Sequence, residues 1–382
     1  MENSKSRRDF IKKSIAAGIV IPLFGSSLLA CEAEKSKKLR ILILGGTSFL
    51  GPHQIAYALK RGHSVSTFTR GKTKATVHKE LFDQVKQLIG DRNNNLTALE
   101  KGEWDLVIDN SGQKVKWTKD TAELLKGSAK IYMYTSSTGV YYPYLGDHIT
   151  EENTTLAKEP ETVEHEDEKL EYWYGVMKTN SENAAIKAFG ADRTIIARPT
   201  YMFGPGDKTN RFIHWPVRLA KGGEVLVPGK ADDLVQYADV RDVAEFMIRL
   251  AEEKITGKFN IAGPTEQQTM NAFVNEAKGA FEVNTTIVPV DDYDFLHQNG
   301  VDYLVPWIPP IGKNYGSSKA SNTKAIAAGL TFRDLKTSVK EMHDWWYSNA
   351  ITQEQRDAFE KNSKGILMNE QEIIKKWKAL KG

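Results

Sequence analysis

The chain has 382 residues, 40% hydrophobic and 26% charged, enough to bury a large core as one generous domain or a domain with a lobe grafted on. A formal net charge of +3 provides no concentrated basic stripe, so a nucleic-acid partner is not expected. The single cysteine, Cys31, excludes an intrachain disulfide and thiolate metal clusters, and the eight histidines lack ligand spacing, so no metal site is expected either.

The N-terminal segment reads as separate from the fold. Met1–Lys13 is polar and basic, and Ser14–Ala30 is mostly apolar but broken by Gly18, Pro22 and Gly25. That is short for a bilayer span, which needs about 20 residues, and the order of basic, apolar and small residues is that of a targeting peptide. Ser6-Arg7-Arg8-Asp9-Phe10-Ile11-Lys12 resembles the twin-arginine signal of proteins exported already folded. Leu28-Leu29-Ala30-Cys31 resembles the lipobox of bacterial lipoproteins, whose cysteine is acylated. These resemblances imply the twin-arginine export machinery as a partner and a membrane anchor on Cys31. They place the protein in the bacterial periplasm or envelope, with residues 1–31 as export signal and 32–38 as tether.

Leu39–Leu44 is an apolar run fit for a buried parallel strand. It enters Gly45-Gly46-Thr47-Ser48-Phe49-Leu50-Gly51, and a helical pattern follows through Ile55, Ala58 and Leu59. A strand, a glycine turn and a helix form the context in which a dinucleotide pyrophosphate reaches a helix N-terminus. Gly45 would take the tight turn and Gly51 would let the helix approach the sheet, whereas Ser48 crowds the usual central glycine position. The second strand, His63–Phe68, leads to Arg70 and Lys72 rather than to an acid that would bind the adenosine ribose. Both cations suit a 2′-phosphate, a lean toward NADP over NAD, and both also suit a solvated loop. Asp91 follows a third strand, Val85–Ile89, near the adenine. Asn110 and Ser111 follow a fourth, Trp104–Asp109, beside the nicotinamide ribose. Lys130–Thr135 is the fifth, and the regular spacing predicts βα units on a parallel sheet.

The fifth strand runs into Ser136-Ser137-Thr138-Gly139-Val140-Tyr141, and Tyr174-Gly175-Val176-Met177-Lys178 opens a later helical stretch. The four-residue spacing puts Tyr174 and Lys178 on one helix face. A free tyrosine, with a pKa of about 10, is too weakly acidic to serve as a base at neutral pH. A lysine held close stabilises the phenolate, and a serine hydroxyl can hold the substrate oxygen.

The glycine turn, Ser137 and Tyr174-x-x-x-Lys178 in this order resemble the extended short-chain dehydrogenase/reductase family, in its NAD-dependent epimerase/dehydratase branch. Further matches are Arg198–Asp207, Asp239-Val240-Arg241-Asp242-Val243-Ala244 and Phe259-Asn260-Ile261-Ala262-Gly263, so the likeness extends from Leu39 to Trp346. It implies Tyr174 as acid/base, Lys178 as its tuner and a holder of the nicotinamide ribose, and Ser137 on the reacting oxygen. The cofactor, NAD or NADP, would be bound by Gly45, Thr47, Ser48, Phe49, Leu50, Gly51, Arg70, Lys72, Asp91, Asn110, Ser111 and Lys178. Tyr172, six residues before Lys178, faces elsewhere, and it and Trp173 line a pocket or the surface.

The implied fold is α/β, a Rossmann-like parallel sheet flanked by helices with a smaller, mostly C-terminal substrate lobe. Residues 39–204 form mainly the dinucleotide-binding part, 205–234 and 264–368 mainly the lobe, 235–263 returns to the core, and 369–382 is a last helix. Nucleotide-sugar members commonly carry an arginine where this chain has Val235, which cannot clamp a diphosphate. Tyr142 replaces a usual glycine, narrowing the entrance or adding a stacking surface. Thr138, Tyr142, Tyr201, Trp215 and Tyr237 are candidate substrate contacts, and the aromatics suit the apolar faces of a carbohydrate or glycoside. A homodimer is compatible with this plan. Three readings stand: an epimerase/dehydratase-type enzyme with a retained cofactor, an NADPH-dependent carbonyl reductase, and a non-catalytic binding relative. The third arises because Gly45-Gly46-Thr47-x-Phe49-Leu50-Gly51 also resembles RNA-associated relatives in chloroplasts.

Overall fold

The computed structural model describes residues 38–110, 113–163 and 165–382. The segment expected to be an export signal, with Cys31, the expected tether up to residue 37, and Ser111 lie outside the described residues. Among the described residues no helix is long and apolar enough to cross a membrane.

Twelve strands and eleven α-helices are described. The strands are β1 (Arg40–Leu44), β2 (Ser64–Thr69), β3 (Lys86–Ile89), β4 (Trp104–Asp109), β5 (Ala129–Thr135), β6 (Thr194–Pro199), β7 (Met202–Phe203), β8 (Gly223–Pro228), β9 (Leu234–Asp239), β10 (Gly257–Ile261), β11 (Gly263–Thr269) and β12 (Thr285–Val290). The helices are α1 (Leu50–Lys60), α2 (Val115–Leu125), α3 (Glu166–Phe189), α4 (His214–Leu219), α5 (Val240–Glu252), α6 (Met270–Ala277), α7 (Tyr293–Gln298), α8 (Thr323–Ala327), α9 (Leu335–Trp346), α10 (Gln353–Glu360) and α11 (Ile366–Lys381).

Seven strands form an all-parallel sheet in the order β10-β6-β5-β4-β1-β2-β3. Its central strands are apolar on both sides because helices cover both faces. Ile41 and Ile43 pack with α1 and α5, whereas Leu42, Val107 and Tyr132 pack on the opposite face with α2 and α3. The helix carrying Tyr174 and Lys178 starts two turns earlier than expected, at Glu166, so both side chains are set on a rigid interior stretch.

A third hydrophobic cluster belongs to the lobe. It gathers Phe203, Phe212, Trp215, Phe273, Trp307, Met342, Trp346 and Trp377 around the two-stranded parallel pair β8–β12. Helix α11 closes it through the buried ion pair between Arg218 and Glu370 and through Trp377 Nε1, which donates to the Pro289 carbonyl at 2.9 Å.

Candidate active site

Strand order reverses between β1 and β4, and ligands of open α/β sheets bind outside the carboxyl ends of such strands. Leu44 leads into Gly45, whose φ of +87° lies in the left-handed region open to glycine, and whose N–H donates to the Phe68 carbonyl at 3.0 Å. A Cβ on Gly46 would approach Thr67 Cγ2 to 2.5 Å, and one on Gly51 would approach the Gly46 carbonyl oxygen to 2.5 Å. Gly51 therefore lets α1 close onto the turn itself, a nearer contact than the helix–sheet approach expected of it. Phe49 provides no side-chain cap, so the first amides of α1 are open to an anion on the positive end of the helix dipole. Phe49 and Leu50 contribute backbone here: Leu50 is buried in the core, and the Phe49 ring stands edge-on to His53. Ser48 does not crowd the turn; it is exposed and lines the cleft.

The cleft is about 450 Å³ and is lined by Gly45, Thr47, Ser48, Arg70, Lys72, Asp91, Asn110, Tyr174 and Lys178. Strand order puts Arg70 and Asp91 on one side of the glycine turn and Asn110, Tyr174 and Lys178 on the other. The Asn93 backbone N–H, then its side-chain amide and the cations of Arg70 and Lys72, hold the Asp91 carboxyl below its usual range. The two cations thus sit in the field of an acid, which offsets part of their pull on a 2′-phosphate. Asn110 is locked by Gln54 of α1 at 2.6 Å and by the Thr135 hydroxyl at 2.8 Å. Sequence reasoning missed Arg92, Asn93 and Trp117 in the wall. Arg92 pairs with the buried Asp109 carboxylate, which also accepts from Thr118 and Tyr132. A charged Asp91-Arg92 pair directly after a strand was the available signal.

Ser137 is extended, and its Oγ accepts the Gly139 N–H at 3.1 Å, opening the turn after β5. This turn is interlocked with α3. A Cβ on Gly139 would stand 2.9 Å from Tyr174 Cε1, and one on Gly175 would stand 2.7 Å from the Gly139 carbonyl oxygen. Two glycines therefore bring the Ser137 turn against the Tyr174 ring. Lys178 is buried; its Nζ donates to the Thr135 carbonyl at 2.8 Å and lies 5.1 Å from the Tyr134 ring and 5.7 Å from the Tyr174 ring. Burial pushes its pKa down, but the Tyr134 and Tyr174 phenols and Asp109 outweigh that, holding the ammonium above its ordinary value.

Behind the turn lies a buried polar web. Ser136 Oγ donates to Glu182 at 2.5 Å, Arg198 forks onto both Glu182 oxygens at 2.9 and 2.6 Å, and its third arm reaches the Tyr141 hydroxyl at 2.6 Å. Tyr141 donates to Asn260 at 2.8 Å, and Glu151 accepts the Asn260 backbone N–H at 2.8 Å. The web ties β5, α3, β6 and β10 together beneath Ser137.

The expected substrate contacts separate. Tyr201 is half-buried with the Arg211 guanidinium 5.3 Å from its ring centre. Thr138 is buried in the turn. Tyr142 is buried between Tyr144 and Tyr172, at centroid distances of 5.7 and 4.9 Å, and so offers no stacking face. Trp215 is fully buried, its Nε1 donating to the Val305 carbonyl at 2.8 Å. Tyr237 packs on Phe203 and Phe273 and donates to Gln268 at 2.7 Å. These three are packing residues, because large aromatic surfaces gain most by burial and their local sequence does not reveal which surface they meet. Val235 is buried in the lobe and places no charge at its position. Trp173 is exposed, as is Tyr303.

The cradle free of Cβ atoms, the open amides of α1 and the fixed Asn110 and Lys178 fit a bound dinucleotide. Residues 41–262 match the model of the NAD dependent epimerase/dehydratase family. The chain is 29% identical over 256 residues to chloroplast stem-loop binding protein of 41 kDa b from Arabidopsis thaliana, a match covering 63% of this chain and 61% of that protein. It is 22% identical over 302 residues to UDP-N-acetyl-alpha-D-glucosaminuronate decarboxylase of Bacillus cytotoxicus, covering 72% of this chain and 90% of that one. Among solved structures it resembles UDP-glucose 4-epimerase from Bifidobacterium longum in complex with NAD+ and UDP, with TM-score 0.57 and 18% identity, covering 81% of this chain and 98% of that one.

Proposed function

The chain belongs to the NAD dependent epimerase/dehydratase family, and within it we propose an enzyme that rearranges a hydroxyl-bearing carbohydrate or glycoside by epimerisation or elimination, with its dinucleotide retained and no net redox change. The observation that carries this is the Ser137 turn interlocked through two glycines with the helix whose Tyr174 and Lys178 line the same cleft as the glycine turn.

Tyr174 takes the proton of the substrate hydroxyl as that carbon is oxidised and gives it back later. Lys178, held on the Thr135 carbonyl, keeps positive charge 5.7 Å from the Tyr174 ring. Ser137 holds the reacting oxygen, and the Gly139 N–H on Ser137 Oγ sets that hydroxyl's orientation. When bound, the dinucleotide supplies hydride acceptance and return. Its cofactor is NAD or NADP: Arg70 and Lys72 line the cleft, Asp91 opposes them, and the B. longum relative is solved with NAD+.

The twin-arginine resemblance of residues 6–12 and the lipobox resemblance ending at Cys31 support export to the bacterial envelope and a lipid anchor. Outside the cytoplasm no pool regenerates a free dinucleotide. A chain that folds around its cofactor before crossing carries it along, and binding also stabilises the native state by mass action.

Extensively dialysed protein is given candidate glycosides without added dinucleotide, and products are followed by NMR. Turnover well beyond the amount of bound cofactor is expected. Protein that is empty after gentle purification and active only with stoichiometric NADPH would instead establish the reductase reading, which Arg70 and Lys72 favour. The likeness to a stem-loop binding protein motivates a parallel RNA-binding assay; the intact Ser137, Tyr174 and Lys178 argue for the enzyme.

A further inference from the structure

A second cavity, of about 440 Å³, shares no lining residue with the dinucleotide cleft. Its walls include Trp345 and Trp346 at the end of α9, Ala350 and Ile351 just beyond, Ala358 of α10, and Asp207 of the loop after β7. Glycines fix that loop. Gly204 and Gly206 take φ of +135° and +95°, and the Asp207 N–H donates to the Gly204 carbonyl at 3.2 Å. Asp207 is 1% exposed and Trp345 8%. Asp207 Oδ1 accepts the Thr209 backbone N–H at 2.8 Å and the Thr209 hydroxyl at 2.7 Å, whereas its Oδ2 is buried with no hydrogen-bond partner among the described residues. Trp345 Nε1 is in the same state, buried and without an acceptor. The neighbouring Trp346 differs, since its Nε1 donates to Glu360 at 2.9 Å.

Buried polar atoms without partners are uncommon, because each has given up its hydrogen bonds to water for nothing in return. Here one acceptor and one donor of that kind belong to residues lining a single cavity. Burial raises the Asp207 carboxyl above its ordinary range, against the pull of Thr209 and Arg211, as befits an oxygen whose desolvation nothing offsets. A hydroxyl both donates and accepts, so one group can satisfy Asp207 Oδ2 and Trp345 Nε1 together. An ammonium offers the indole N–H no acceptor, and a carboxylate offers Asp207 no donor. The charged residues of the lining, Asp207 and Lys208, are of opposite sign, and stripping water from a charged ligand against the apolar walls is costly. Those walls suit an apolar body. We propose that this cavity binds a small uncharged molecule with an apolar body and a hydroxyl group, held by Asp207 and Trp345, at a site separate from the dinucleotide cleft.

The test titrates the full chain, its tryptophans isotope-labelled, with cyclohexanol and in parallel with cyclohexylammonium and cyclohexanecarboxylate. Trp345→Phe identifies the Trp345 indole resonance, and affinities are read from the ligand's own NMR signals. Cyclohexanol should shift that indole resonance saturably, bind more tightly than either ion, and bind equally well to protein loaded with NAD. Asp207→Asn keeps an acceptor for Thr209 but puts an amide N–H₂ in place of the free oxygen, and should weaken cyclohexanol binding roughly 10-fold, the loss of a bond to a charged group. Trp345→Phe keeps a ring without the donor and should weaken it roughly 2- to 10-fold. Ala350→Leu fills the cavity while leaving both polar groups in place, and should abolish binding with the thermal midpoint near wild type. The proposal is overturned if cyclohexanol gives no saturable shift, which would leave the cavity to water, if an ion binds more tightly, or if NAD displaces the alcohol. It is equally overturned if folded Asp207→Asn and Trp345→Phe proteins bind cyclohexanol as wild type does. Should either polar variant fail to fold, Ala350→Leu decides, and unchanged binding there overturns the proposal.

Discussion

The interlock of Gly139 with Gly175 makes Gly175→Ala a direct probe of how Ser137 and Tyr174 are brought together. An alanine Cβ at 175 would stand 2.7 Å from the Gly139 carbonyl oxygen, where ordinary contact begins at 3.4 Å. Helix and turn must therefore separate by roughly 0.7 Å, and because the obstructing atom is backbone no side chain can swing aside. Displacements of this order within a reacting constellation cost up to about 10²-fold in rate. Stability should move far less: overpacking costs about 1–3 kcal/mol, while replacing an interior helical glycine with alanine returns about 1 kcal/mol. The dinucleotide cradle around Gly45 and α1 is untouched. The expected outcome is kcat reduced by one to two orders of magnitude, with NAD affinity by calorimetry and the thermal midpoint close to wild type. Turnover within about twofold of wild type would refute the claim that this contact sets the catalytic geometry.

Tyr174→Phe should lower turnover about 10²–10⁴-fold while leaving the fold and NAD binding intact, whereas Lys178→Ala should damage both turnover and NAD affinity; a phenylalanine variant retaining a tenth of the activity would remove the acid/base role. Arg70→Ala should weaken binding of the 2′-phosphorylated dinucleotide more than that of NAD, and equal losses by titration calorimetry would reduce Arg70 to a surface cation. Arg198→Met strands the buried Glu182 carboxylate and should cost about 3–5 kcal/mol in urea unfolding, and a negligible change would show that the web adds little. Burial lowers the His53 pKa from 6.5 to about 4 against the pull of its hydrogen bond to the Pro205 carbonyl. Between those values the unfolded chain takes up a proton that the folded chain refuses, so stability falls as pH drops from 6.5 toward 4, by at most about 3 kcal/mol. His53→Gln should flatten that slope, and identical slopes would show that His53 is not the group responsible.

Much of the nucleotide-binding half was legible in the linear order of residues. Buried parallel strands are short apolar runs, so β1, β4 and β5 fell within a residue of their expected bounds. The glycine turn was legible because a tight turn against a helix N-terminus demands glycine locally, and Tyr174 with Lys178 because a four-residue spacing is itself a geometric statement. Tertiary structure decided what depends on pairs distant in sequence. Gly139 and Gly175 are 36 residues apart, and only their contact explains why both lack a side chain. Arg198, Glu182, Tyr141 and Asn260 have no common sequence pattern, yet their buried hydrogen bonds satisfy one another beneath Ser137. The same holds for the aromatics. Trp215 and Tyr142 read like binding surfaces and became packing, whereas Arg92 and Trp117, unremarked in the sequence, line the cleft. Local sequence encodes how strongly a side chain prefers burial or water; which surface it meets there is set by the topology that folds distant segments over it.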